Sequence, residues 1–78
     1  MPEEFKKIAE TCDEYGFKYE YYEDDKSFWC FFTGMHYLRL SYIRVDNEYL
    51  VMRTYGIRLG EWTQEQVIRE ICYYGGLR

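Results

Sequence analysis

The residues with the widest chemical range in this 78-residue chain are Cys30, His36 and the carboxylate triplet Glu23, Asp24 and Asp25. A thiol and an imidazole six positions apart would suit nucleophilic catalysis if the base could reach the thiol and a cation or helix terminus lowered its pKa. Cys30 sits in the apolar run Phe28–Phe32, which supplies neither. The ordinary reading is a core thiol, with the lone histidine at a strand start as a partly buried ring bonded to backbone. Three neighbouring carboxylates can hold a divalent cation loosely. This triplet lacks the glycine and the spaced later ligands of an EF-hand loop, so a solvated turn is expected and no metal site is assigned. Paired carboxylates for glycoside chemistry need an apolar cleft around one of them, and no such setting is visible. Gly56, Gly60, Gly75 and Gly76 match neither phosphate-binding pattern. Cys12, Cys30 and Cys72 form no CxxC pair and are read as reduced thiols. The expectation is a non-enzymatic protein without a cofactor.

Two helices and a set of strands must position these groups. Residues 2–14 carry Phe5, Ile8, Ala9 and Cys12 at helical spacing, with Pro2, Glu3 and Glu4 at the start and Gly16 after the end. Thr63 and Gln66 form a capping-box pattern ahead of Val67, Ile68, Ile71 and Cys72, with Trp62 before the cap and Gly75-Gly76 as the stop. Between the helices, residues 17–23, 27–33, 36–45 and 48–57 are rich in aromatic and β-branched residues, separated by turns at Asp24-Asp25-Lys26, Thr33-Gly34 and Asp46-Asn47. Short turns impose antiparallel neighbours. The expected fold is a single α+β domain over residues 1–78: a two-layer αββββα arrangement with a four-stranded antiparallel meander.

A two-residue turn at Asp46-Asn47 puts Leu38, Leu40 and Tyr42 on one face with Tyr49, Val51, Arg53 and Tyr55. The other face then carries Tyr37, Arg39, Ser41, Ile43 and Val45 with Leu50, Met52 and Thr54. The first face is expected under the helices. Phe28–Phe32 does not decide between the faces, because it places apolar groups on both. A sheet of this kind is covered on both sides or shows an aromatic face to a partner.

Composition points to contact rather than chemistry. Ten tyrosines, five phenylalanines and two tryptophans exceed what one small core absorbs, while the net charge is −4. Residues 1–25 carry net −6 and the remainder +2, the later bases being arginines apart from Lys26. Aromatic strands beside arginines can stack single-stranded bases. The acidity opposes phosphate binding, and Phe28–Phe32 does not fit an RNA-recognition strand, so direct nucleic-acid binding ranks below protein binding. The longest wholly apolar run is far shorter than a membrane span, and the start lacks a signal-peptide pattern, so a cytoplasmic protein is expected.

In size, acidity, aromatic richness and the stretch Tyr21-Tyr22-Glu23-Asp24-Asp25, the chain resembles small phage-encoded inhibitors of the anti-CRISPR type. The resemblance implies a viral protein in the host cytoplasm that blocks a nucleic-acid-binding complex or nuclease. Glu20, Glu23, Asp24 and Asp25 would stand in for phosphates, and Tyr21, Tyr22 and nearby rings would supply apolar contact. Small acidic immunity proteins that plug toxin nucleases fit the same description. The partner-binding set is Glu20, Tyr21, Tyr22, Glu23, Asp24, Asp25, Phe28, Phe32, Tyr37 and Arg39. The alternative is a homodimer closed through Phe28, Phe32, Tyr37 and Ile43.

Overall fold

A computed structural model describes residues 1–77. Helix α1 (Glu3–Tyr15) is followed by strands β1 (Lys18–Tyr22), β2 (Ser27–Phe31), β3 (Tyr37–Ile43), β4 (Glu48–Arg53) and β5 (Ile57–Trp62), and by helix α2 (Gln64–Gly76). The class is α+β as expected, but the antiparallel meander has five strands, in the order β1-β2-β3-β4-β5.

The additional strand follows a turn at Thr54–Gly56 in which Tyr55 and Gly56 both take left-handed backbone, with φ 68° and 72°. Two successive positive φ values are what a tight hairpin needs, and Asn-Gly or Asp-Gly usually supplies them. Tyrosine at the first position hid the turn. Beyond it, a register shift between Val51 and Met52 and Gly60 at φ 127° mark a bulge that breaks the period-2 pattern of β5. Tyr55, expected on the helix-covered face, is instead 84% exposed in the turn.

The β3–β4 connection also differs. Ile43 pairs with Glu48, so the loop is the four residues 44–47, and Val45 is in the loop rather than in β3. The register moves by two residues relative to a two-residue turn, which preserves side-chain parity. Leu38, Leu40, Tyr49 and Val51 therefore all lie buried under the helices, as expected.

Both helices contribute to one core on that side of the sheet. Phe5, Ile8, Ala9 and Cys12 of α1 are buried with Val67 and Ile71 of α2, against Phe28, Cys30, Phe32 and the β3–β4 residues. Phe5 stacks on Phe28 at 5.2 Å, and Phe32 on Tyr74 at 4.2 Å. Gly16 caps α1 in the left-handed region, and the Thr63–Gln66 capping box opens α2. Gly75 and Gly76 do not stop α2, which runs through both. At Gly75 the two helices approach closely: a Cβ there would run into the Tyr15 ring.

Candidate functional site

The face of the sheet away from the helices is the candidate site. Strand parity and cross-strand register fix its contents. Glu20 of β1, Trp29 of β2, Arg39 of β3, Met52 of β4 and Arg58 of β5 are successive partners and form one row across all five strands. A second row runs Tyr22, Ser27, Ser41, Leu50 and Glu61, and a third brings Lys18, Phe31 and Tyr37 together. Trp29, Phe31, Tyr37, Ile43, Leu50 and Met52 are all half-buried there. Among the described residues no helix packs over them, so this is a contiguous apolar surface with polar groups set into it.

Its centre is an aromatic and ionic cluster. Trp29 lies 4.9 Å from the Tyr37 ring and 6.3 Å from Phe31. The Arg39 guanidinium sits 5.5 Å from the Trp29 ring centroid and donates to Asp25 Oδ2 at 3.0 Å. Asp25 Oδ1 accepts from the Ser27 hydroxyl at 2.6 Å and from the Ser27 amide at 3.2 Å, and the Ser27 hydroxyl accepts from Trp29 Nε1 at 2.9 Å. Through this chain the β1–β2 turn holds the indole and the guanidinium in place. The Ser27 hydroxyl above all, then its amide and Arg39, hold the Asp25 carboxyl below the usual range, against burial, which pushes it the other way.

Beside the cluster, Tyr22, Asp24, Asp25, Trp29 and Phe31 line an open groove of about 510 Å³. The Tyr22 and Trp29 rings meet at 85° with centroids 6.1 Å apart. The Tyr22 hydroxyl donates to Glu20, which raises its pKa, as do burial and the nearby acids.

The residues expected from sequence divide between the two faces. Glu20, Tyr22, Tyr37 and Arg39 are on the open face, with Glu23, Asp24 and Asp25 in the turn at its corner. Tyr21 is on the helix side, 5.7 Å from Phe5, and burial raises its pKa. Phe28 is fully buried and Phe32 is 8% exposed, so neither offers surface to a partner or to a second copy in the folded chain. Trp29 and Phe31, absent from the expected set, take their place. The two aromatics differ from Phe28 and Phe32 only in strand parity, which a continuous apolar run conceals.

No protein-family model matches the chain, and neither curated proteins nor solved structures yield a significant match. The functional reading therefore rests on the geometry.

The chemistry imagined for Cys30 and His36 does not assemble. Cys30 points into the core with its sulfur 3.2 Å from that of Cys12, and contact with Cys12 together with burial pushes its thiol far up in pKa. His36 is exposed, rather than partly buried, in the β2–β3 connection, where its carbonyl accepts from the Phe32 amide at 2.8 Å. Among the described residues the carboxylates that converge are Asp46, Glu48 and Glu61, one oxygen of each lying within 4.8 Å of the others. Glu61 also faces Arg58 at 3.6 Å, which partly neutralises that group. No described helix is long and apolar enough to cross a membrane.

Proposed function

We propose that this chain is a non-enzymatic interaction protein that blocks or regulates a larger macromolecule, docking through the open sheet face with its acidic corner. The observation that carries the reading is the one-sided layering: both helices bury the same face, leaving Trp29, Phe31, Tyr37, Ile43, Leu50 and Met52 on a surface without cover of its own. Rings with flanking charge give large contact area at small entropic cost, the composition of interface hot spots. The partner is another protein, with a nucleic-acid-binding complex or a nuclease as the class that an acidic inhibitor of the anti-CRISPR type would block. Glu20, Glu23, Asp24 and Asp25 then act as the electrostatic rim, and Tyr22, Trp29 and Tyr37 as the anchors.

The test is affinity capture with the wild-type chain and with Met52→Glu, at low and moderate salt. Loss of the captured protein with Met52→Glu, in a variant whose circular dichroism and melting temperature are unchanged, is the expected result, and binding should weaken with salt. Capture indifferent to that substitution would remove the open face from the mechanism. The same layering favours a second reading in which two copies cover each other's open faces, through Tyr37 and Ile43 with Trp29 in place of Phe28 and Phe32. Light scattering on the purified chain decides it: a monomer excludes self-association, and a dimer dissociated by Ile43→Glu establishes it.

A further inference from the structure

Resting on the reading of the open face as a protein-docking surface, we infer that the groove formed by Tyr22, Trp29, Phe31 and Asp24 receives an arginine side chain from a basic segment of the partner. Two features of the groove support this occupant.

The walls have the right chemistry. Tyr22 and Trp29 meet edge to face, at 85° with centroids 6.1 Å apart, so a planar cation stacks on an open ring face beside that corner rather than between the rings, with Phe31 extending the apolar lining for the side-chain stem. Asp24 lines the same groove and has no ion-pair or hydrogen-bond partner among the described residues. The bases near this corner are Arg39, already paired with Asp25, Lys26, which lines a separate cleft with Glu4, Phe5, Tyr42 and Arg44 rather than this groove, and Lys18, whose strand position is opposite Phe31. Lys18 disfavours a cation at the Phe31 end, which directs the incoming charge to the turn end, where Asp24 and Asp25 lie.

The chain already shows how a guanidinium is accommodated here. Arg39 lies over the Trp29 ring and bonds Asp25, which is the contact pattern expected of the ligand one position further out. Arg39 is also imperfectly served: it reaches Asp25 through one nitrogen, and its Nε–H is shut away without a partner. An incoming guanidinium able to bond the unpaired Asp24 carboxylate through two nitrogens has the better geometry, and Arg39 competes with it for the indole face while Asp25 stays held by Ser27 and Arg39.

The reporters are built in, because Trp29 is on the open face while Trp62 packs against the core on the other. A ¹⁵N-labelled sample of the full chain, titrated at physiological ionic strength with hexa-arginine, hexa-lysine or hexa-citrulline peptides, reads the indole N–H of each tryptophan separately. Hexa-arginine should shift Trp29, Tyr22 and Asp25 saturably and leave Trp62 in place. Hexa-lysine should bind more weakly, and hexa-citrulline should have no effect. Removing the competitor with Arg39→Gln should tighten hexa-arginine binding roughly threefold to tenfold, whereas Arg69→Gln on α2, the same change of charge, should not. Asp24→Asn should weaken binding by a comparable factor, and Glu10→Gln on α1 should not. Shifts shared equally by Trp29 and Trp62, or an Arg39→Gln variant no tighter than Arg69→Gln, would overturn the assignment. Such a result leaves the docking face itself to be judged by capture with Met52→Glu, a residue outside the groove.

Discussion

The two faces of this sheet are made by the same five strands, yet they have opposite fates. On the helix side, Phe28, Cys30, Leu38, Leu40 and Val51 are sealed from solvent, and the polar reach into that layer is Tyr49, whose hydroxyl bonds the Glu4 carbonyl of α1. On the open side the apolar residues alternate with Ser27, Arg39 and Ser41, and the rings are tied by an Asp25–Ser27–Trp29 hydrogen-bond chain rather than by close-packed aliphatic groups. The first face is sealed from solvent, and the second carries polar groups set among half-buried apolar residues. Apolar content alone does not separate them, since β2 contributes comparable rings to both. The interspersed charge and hydroxyl groups do.

The contrast is broken most directly by truncating neighbouring rings of β2. Phe28→Ala opens a cavity among Phe5, Tyr19 and the rest of the core, and should cost about 3–5 kcal/mol, enough to unfold a marginal domain. Phe31→Ala removes a half-buried ring from the open face and should cost about 1 kcal/mol or less. Urea denaturation of the two variants measures the difference. Equal losses would mean that the open face is also core, covered by something the isolated chain must carry with it, such as a second copy.

Tyr49 sharpens the same contrast through pH. Burial, with Tyr42 and Glu4 nearby, pushes its pKa up to about 12, from an ordinary value of about 10. The folded state therefore favours the protonated phenol. The stabilisation is fully present below pH about 10 and is lost as pH rises through about 12. It is on the order of 2 kcal/mol. Stability measured by urea midpoint should fall across that window, and Tyr49→Phe should flatten the fall. An unchanged slope in Tyr49→Phe would assign the alkaline loss to the buried Cys30 thiol and to the other tyrosines with raised pKa, Tyr15, Tyr19, Tyr21 and Tyr22.

Much of the covered face was legible in the sequence, because the α1 stripe, the capping box and the alternation of Leu38, Leu40, Tyr49 and Val51 each repeat at a period that one backbone geometry explains. The open face was legible only in part. Tyr37 and Arg39 follow from β3 alternation, but the five consecutive apolar residues Phe28–Phe32 carry no parity, so the sequence alone offers Phe28 and Phe32 to a partner in place of Trp29 and Phe31. Tyr21 and Tyr22 are adjacent and chemically alike, and only pairing with Phe28 and Ser27 separates core from surface. The sequence conceals the fifth strand because its two signals oppose its neighbours: a tyrosine where a turn favours asparagine, and a glycine inside the strand.

That turn supplies the smallest effect and the most local test. Tyr55 holds φ at 68°, with its ring 84% exposed and therefore little compensated by packing. A non-glycine residue in the left-handed region is strained by roughly 1–2 kcal/mol, and asparagine relieves part of this through its short polar side chain. Tyr55→Asn should therefore stabilise the fold by about 0.5–1 kcal/mol, a rise in melting temperature of roughly 2–8 °C for a domain of this length. The change leaves both faces untouched, yet it tightens the hairpin that brings Arg58 and Glu61 to the edge of the open one. If Tyr55→Asn lowers the melting temperature instead, the exposed ring is held by a contact that outweighs its backbone strain. The loop would then belong with the docking surface, alongside Tyr37, whose amide already bonds the Thr54 hydroxyl at 3.0 Å.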